Sequence, residues 1–104
     1  MDISKKDWNL FRERIGSWQE HYMEKLTKEY IELLSSDKIA SEKFWALESR
    51  IKMDKRRPGV MVEMRKSELV YQIVMLIRDG AITVEELDDF SDNLKEAVQC
   101  FLQR

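Results

Sequence analysis

The sequence predicts an all-α protein: a small bundle of four to five helices around one central apolar helix. Only one Pro and three Gly occur in 104 residues, and helix-forming residues dominate the chain. Apolar residues also recur at helical spacings of three and four. A hydrophobic content of 43% allows a genuine core, so we predict a single domain over residues 1–104.

The central helix is predicted at about 67–79. Eight of the nine residues from Leu69 to Ile77 are apolar or aromatic, so neighbours must cover this helix on several sides. Ser67 suits the N-cap, and Gly80 suits the left-handed residue that ends a helix. One narrow polar stripe remains, formed by Glu68, Gln72 and Asp79.

The first helix is predicted to begin at Ser4, with Asp7 completing an approximate capping box, and to continue to about Leu34. One apolar stripe follows it through Trp8, Phe11, Ile15, Trp18, Tyr22, Leu26, Tyr30 and Leu33. We interpret this stripe as core. A helix this long can extend past its neighbours, and any part left bare would be a surface for a partner or a second copy. Gly16 lies beside the stripe and indicates either close helix approach or a mild kink.

The second helix is predicted to follow a turn at 35–37, capped by Asp37 or Ser41. Its packed face is Phe44, Leu47 and Ile51, with Trp45 widening it. The helix ends before Pro58, because proline disfavours the helical conformation of the preceding residue.

Two interpretations of residues 60–66 remain open. Alternation of Val60, Val62 and Met64 favours an extended segment leading to Ser67. The alternative is one long helix from Val60 to Asp79.

The last helix is predicted to restart at Thr83, which forms a capping box with Glu86. Ser91 could cap a fresh start and divide this region into a short and a longer helix. The apolar stripe of the region contains Leu87, Phe90, Leu94, Ala97 or Val98, and Phe101.

Groups for catalysis are scarce. His21 is the single histidine and Cys100 the single cysteine, so neither a transition-metal ligand set nor a nucleophile–histidine pair is complete. We expect His21 on the surface and Cys100 buried or half-buried. No glycine-rich phosphate loop occurs. We therefore predict no enzymatic activity and no cofactor.

The segment from Asp79 to Glu86 has the Gly, Ile and Glu of the second half of a calcium-binding EF-hand loop. Its first and third loop positions would be Met75 and Ile77, which cannot ligate calcium. We predict that the chain does not bind calcium.

A basic cluster is the most distinctive surface feature. Seven cations occur within 17 residues around Pro58-Gly59: Arg50, Lys52, Lys55, Arg56, Arg57, Arg65 and Lys66. Such a cluster can bind phosphates, but the segment lacks aromatic residues for base stacking. It can instead contact an acidic protein, or be neutralised by the acidic run Glu85, Glu86, Asp88, Asp89, Asp92 and Glu96, within one chain or across a dimer.

Charge and sorting features indicate a cytosolic protein. The formal net charge is −2, which argues against a protein dedicated to nucleic acid. There is no secretory signal and no apolar run long enough for a membrane. We therefore predict a cytosolic protein–protein interaction module, with an unknown protein or a second copy as partner. Nucleic-acid binding by the basic loop 50–66 is the alternative.

Four stretches resemble small all-helical proteins of unknown function from Gram-positive bacteria. They are Trp8 to Trp18, Phe44-Trp45, Pro58-Gly59-Val60 and the hinge from Asp79 to Leu87. This resemblance spans most of the chain and implies a helical fold, but no activity.

Overall fold

A computed structural model describes residues 2–104 and confirms the all-α prediction, with no strand in this range. The α-helices are α1 (Lys5–Leu34), α2 (Ala40–Asp54), α3 (Leu69–Arg78) and α4 (Asp92–Leu102). Two 3₁₀ turns, Lys66–Glu68 and Val84–Leu87, precede α3 and α4. No helix in the described range is long and apolar enough to cross a membrane.

The helix α1 runs along the longest dimension of the molecule. Its 30 residues span about 45 Å at 1.5 Å per residue, against a longest molecular dimension of 52 Å. The predicted cap is confirmed, because the Ser4 hydroxyl accepts a hydrogen bond from the Asp7 N–H at 3.0 Å. The prediction of close helix approach at Gly16 is wrong, since nothing lies within 4 Å of a Cβ built there.

The core lies between the N-terminal half of α1, helix α3 and the C-terminal region. Its largest fully buried side chains are Phe11, Leu69, Ile73, Leu76, Leu87, Val74 and Val98. Ile73 is 0% exposed, as expected for the central position of the apolar helix. The predicted N-cap is wrong, because Ser67 lies inside the first 3₁₀ turn and α3 begins at Leu69.

Two residues of α3 depart from the predicted polar stripe. Gln72 is buried at 5% exposure, and its amide nitrogen donates to the Glu63 carbonyl at 2.7 Å. Tyr71 is instead 56% exposed. The Gln72 side chain is buried because its hydrogen bond joins the segment before α3 to the helix.

Residues 61–65 form no helix, so the extended interpretation is confirmed and the long helix from Val60 is wrong. The turn before this segment passes close to α1. A Cβ built on Gly59 would lie 2.6 Å from Cγ of the buried Tyr22 ring. Only glycine therefore fits at this contact without a shift of the ring.

The chain after α3 turns at Gly80, whose φ of +78° confirms its predicted helix-ending role. The Thr83 capping box is wrong, since no side-chain bond forms there and only a 3₁₀ turn follows. The predicted restart is confirmed at Ser91, whose hydroxyl accepts from the Leu94 N–H at 3.2 Å. Cys100 is exposed on α4, contrary to expectation.

The helix α2 packs against the C-terminal half of α1 and, among the described residues, contributes none to the main core. The expectation that every apolar stripe surrounds α3 is therefore wrong for α2. Its predicted caps are wrong too: Ile39 occupies the N-cap, and no side chain bonds to the first turn.

Candidate functional site

The C-terminal half of α1 and all of α2 form an antiparallel helical hairpin. We call the end of the hairpin away from the turn between Leu34 and Ala40 its base. Near this base, the Arg50 guanidinium donates to the Glu29 carboxylate at 2.9 Å and lies 5.4 Å from the centre of the Tyr30 ring. These contacts join α1 to α2, because the side chains of Glu29, Tyr30 and Arg50 meet at one position along the hairpin.

A buried carboxylate fixes the end of α2. Asp54 is 3% exposed and accepts hydrogen bonds from the Tyr30 hydroxyl at 2.5 Å and from Arg57 Nε at 3.1 Å. Arg50 lies 3.5 Å from the same carboxylate. Burial raises the pKa of Tyr30 to about 12, and its bond to Asp54 adds to that shift. The hairpin base is thus held by a polar network.

The outer part of the hairpin carries a group of exposed large apolar side chains. We call this group the hairpin apolar face: Ile31, Leu34, Ile39, Phe44, Trp45 and Ile51. Phe44 and Trp45 are 64% and 62% exposed, and their rings meet edge to face at 5.0 Å. The prediction that Phe44 and Ile51 pack inside the bundle is wrong, because α2 has only α1 beside it.

An apolar groove continues this face towards the hairpin base. Its volume is about 280 Å³, and it is lined by Met23, Leu26, Thr27, Tyr30, Ile51, Asp54, Lys55 and Val60. Ile51 belongs to both groove and face. Phe44 lies seven residues before Ile51, two helical turns away on the same side of α2. The hairpin therefore presents one continuous apolar strip.

Three arginines of the predicted basic cluster are held by acidic neighbours. Arg50 is paired as described, and Arg57 contacts both Asp54 and, at 3.8 Å, Asp79. Arg65 pairs with Glu63 at 2.8 Å. Their charges are already paired with carboxylates, so they are poorly placed to release counterions on binding phosphate.

The other four cations of the cluster are Lys52, Lys55, Arg56 and Lys66, and none has an ion-pair partner within residues 2–104. The acidic run does not neutralise the cluster within the chain, contrary to one expectation. Asp89 pairs with Arg14, and Asp92 lies 3.5 Å from Lys95. These two acids therefore pair with Arg14 of α1 and Lys95 of α4 rather than with the basic cluster.

Groups for chemistry do not converge in the part of the chain that is described. No three His, Cys, Asp or Glu side chains there are placed to hold a metal ion. His21 lies exposed on α1, as predicted for a surface residue.

One feature of the sequence indicates that Phe44 and Trp45 are difficult to bury together. Neighbouring residues on a helix point about 100° apart, so one flanking helix cannot cover both Phe44 and Trp45. Burying both would require a second neighbour for α2. Within residues 2–104, α1 is the principal neighbour of α2, which leaves this surface as the strongest candidate for a functional site.

Comparisons with protein-family models, with curated proteins and with solved structures found no match, so the arguments about function rest on this geometry.

Proposed function

We propose that the protein is a non-catalytic protein–protein interaction module that binds its partner through the hairpin apolar face. The observation that carries this proposal is the exposure of Phe44 and Trp45, 64% and 62%, on a helix that contributes no residue to the main core. Aromatic side chains in such positions are the residues that most often anchor protein interfaces.

The size of the apolar surface supports the proposal. Four of its six side chains are more than 60% exposed: Ile31, Ile39, Phe44 and Trp45. On a typical monomer the largest apolar patch is about 300–600 Å² and is often functional. Burying such a surface in an interface is favourable, because the transfer of apolar groups out of water lowers the free energy.

The experiment uses the full chain as bait in a pull-down, with retained proteins identified by mass spectrometry. The double variant Phe44→Ala/Trp45→Ala should lose the partner, while Met53→Ala should keep it. Met53 is a control matched to Phe44: it is 60% exposed and lies nine residues after Phe44, on the side of α2 opposite that residue. Equal retention by all three baits would contradict the proposal.

A DNA-binding measurement tests the nucleic-acid alternative. Replacing Lys52 and Arg56 with Ala removes two of the four unpaired cations without touching the Asp54 network. We expect mixed-sequence duplex DNA to bind the wild-type chain no more tightly than about 10 μM at physiological salt. Sub-micromolar binding that this variant loses would favour the alternative.

A further inference from the structure

We propose that the apolar strip from Val60 to Phe44, formed by the groove and by the side of α2 that carries Phe44 and Ile51, is covered by a second copy of this chain. Two hairpins pack face to face about a two-fold axis parallel to α1 and α2, so that α1 of each copy lies antiparallel to α2 of the other. The product is a four-helix bundle at one end of a dimer. This inference rests on the proposed function and specifies its partner.

The architecture explains why the face is bare. A pair of helices buries only one seam, whereas four helices in an antiparallel arrangement enclose a core. The hairpin supplies half of such a bundle, complete with an apolar strip from Val60 to Phe44. A two-fold axis makes the same strip serve on both sides of the interface.

The rest of the molecule does not obstruct this packing. Trp18 is buried in the main core. Thr27, which lines the groove, follows Trp18 by nine residues, which is two and a half turns and therefore the opposite side of α1. The second copy thus approaches α1 from the side away from the main core.

The strip is contiguous, as a dimer interface requires. A standard protein–protein interface covers about 800 Å² on each partner. The groove and the hairpin apolar face adjoin at Ile51, so the strip extends along the hairpin from Val60 to Phe44.

Charges at the rim of the groove are complementary in this arrangement. The Glu29–Arg50 and Tyr30–Asp54 contacts both show that α1 and α2 are antiparallel. Glu24 of α1 and Lys55, the residue after α2, lie beyond these contacts at the base of the hairpin. Both are exposed, and neither has an ion-pair partner within residues 2–104. An axis parallel to the helices keeps both side chains at the same end of the bundle, so Glu24 of each copy is placed to pair with Lys55 of the other.

Sedimentation equilibrium of the full chain, from micromolar to submillimolar concentration, tests the inference. We expect a monomer–dimer equilibrium for the wild type and for Met53→Ala. Phe44→Ala/Trp45→Ala should remain monomeric with unchanged helical circular dichroism. A wild type that is monomeric throughout the series would overturn the inference, as would equal dimerisation of the double variant.

Charge reversal tests the geometry of the dimer. Lys55→Glu places two acidic side chains together at each rim contact and should weaken dimerisation by roughly tenfold at low salt. Adding Glu24→Lys to the same chain restores opposite charges at both symmetric contacts and should recover most of the affinity. Failure of the second change to rescue the first would overturn this packing.

Different results would overturn the dimer and the interaction-module proposal. A monomeric wild type whose Phe44/Trp45 variant loses a pulled-down protein overturns only the dimer. If the Phe44/Trp45 variant keeps both its oligomeric state and its partner, the face is not a binding surface, and both proposals fall.

Discussion

The Asp7 carboxylate accepts hydrogen bonds from the Ser91 N–H at 2.9 Å and from the Ser91 hydroxyl at 2.5 Å. This contact joins the first turn of α1 to the N-cap of α4 across 84 residues of chain. The Ser91 hydroxyl also accepts from Leu94, and the Asp7 N–H donates to Ser4. Both helix starts therefore share one cap network, with a buried negative charge where the helix dipoles favour it.

Replacing Asp7 with Ala should reduce the free energy of unfolding by about 1.5–3 kcal/mol, because it removes charge-assisted bonds and leaves the Ser91 N–H without its partner. Ser91→Ala should cost about 1–2 kcal/mol through the lost cap. The double variant should cost less than the sum of both, since the two residues share their bonds. Urea denaturation measures all three, with the exposed Asp37→Ala as control. Strict additivity would contradict the shared network.

Replacing Ile73 with Ala should lower the free energy of unfolding by about 2–5 kcal/mol, because a fully buried side chain leaves a cavity in the core. Tyr71→Ala is the matched control, two residues away on the same helix but 56% exposed. It should cost much less. Equal denaturation midpoints for the two variants would argue against α3 as the centre of the core.

The glycines Gly59 and Gly16 should respond to alanine in opposite directions. Gly59→Ala forces a Cβ against the buried Tyr22 ring and should destabilise the protein by about 1–3 kcal/mol. Gly16→Ala adds a methyl group in open space within α1 and should stabilise it by about 0.5–1 kcal/mol. Thermal unfolding of both variants provides the comparison, and a change of the same sign in both would contradict it.

Tyrosine ionisation should make the hairpin base sensitive to alkali. The pKa of Tyr30 in the folded chain, about 12, lies above its ordinary value of 10.0. The protonated hydroxyl therefore favours the folded state. This contribution is complete below pH 10 and is lost as the pH rises through 12.

The measurement is the free energy of unfolding from pH 9 to 12 for the wild type and Tyr30→Phe. We expect a smaller decline in the variant, whose ring cannot ionise. Burial also raises the pKa of Tyr22, so part of the decline should remain. The exposed Tyr71→Phe serves as control and should follow the wild type. An unchanged decline in Tyr30→Phe would show that this hydroxyl is not responsible.

The features predicted correctly from sequence depend on nearby residues. Ser4 caps a helix with its own first turn, and Gly80 ends one through its own φ. Ile73 is buried because its helix is apolar on nearly every side. Such features require no knowledge of where distant segments lie.

The features that sequence reasoning missed depend on distant contacts. Asp7 had the spacing of a local capping box, but its carboxylate bonds Ser91 instead. Gly59, rather than Gly16, is the site of close approach, because the turn crosses Tyr22 on another element. The exposure of Phe44 follows from the number of helices beside α2, which periodicity along one helix does not specify.

The elements that pack against α1 differ between its two halves. We therefore expect the two halves to differ in how readily their amides exchange. Around Phe11 and Ile15 the main core encloses it, so we expect amide exchange there to require global unfolding. Near Ile31 its principal neighbour within the chain is α2, so we expect separation of this one helix pair to let the end of α1 unfold locally. The hairpin should therefore exchange its amides through local opening while the core stays folded. Such a hairpin can adjust its helix spacing to the surface it meets, at little cost to the rest of the molecule.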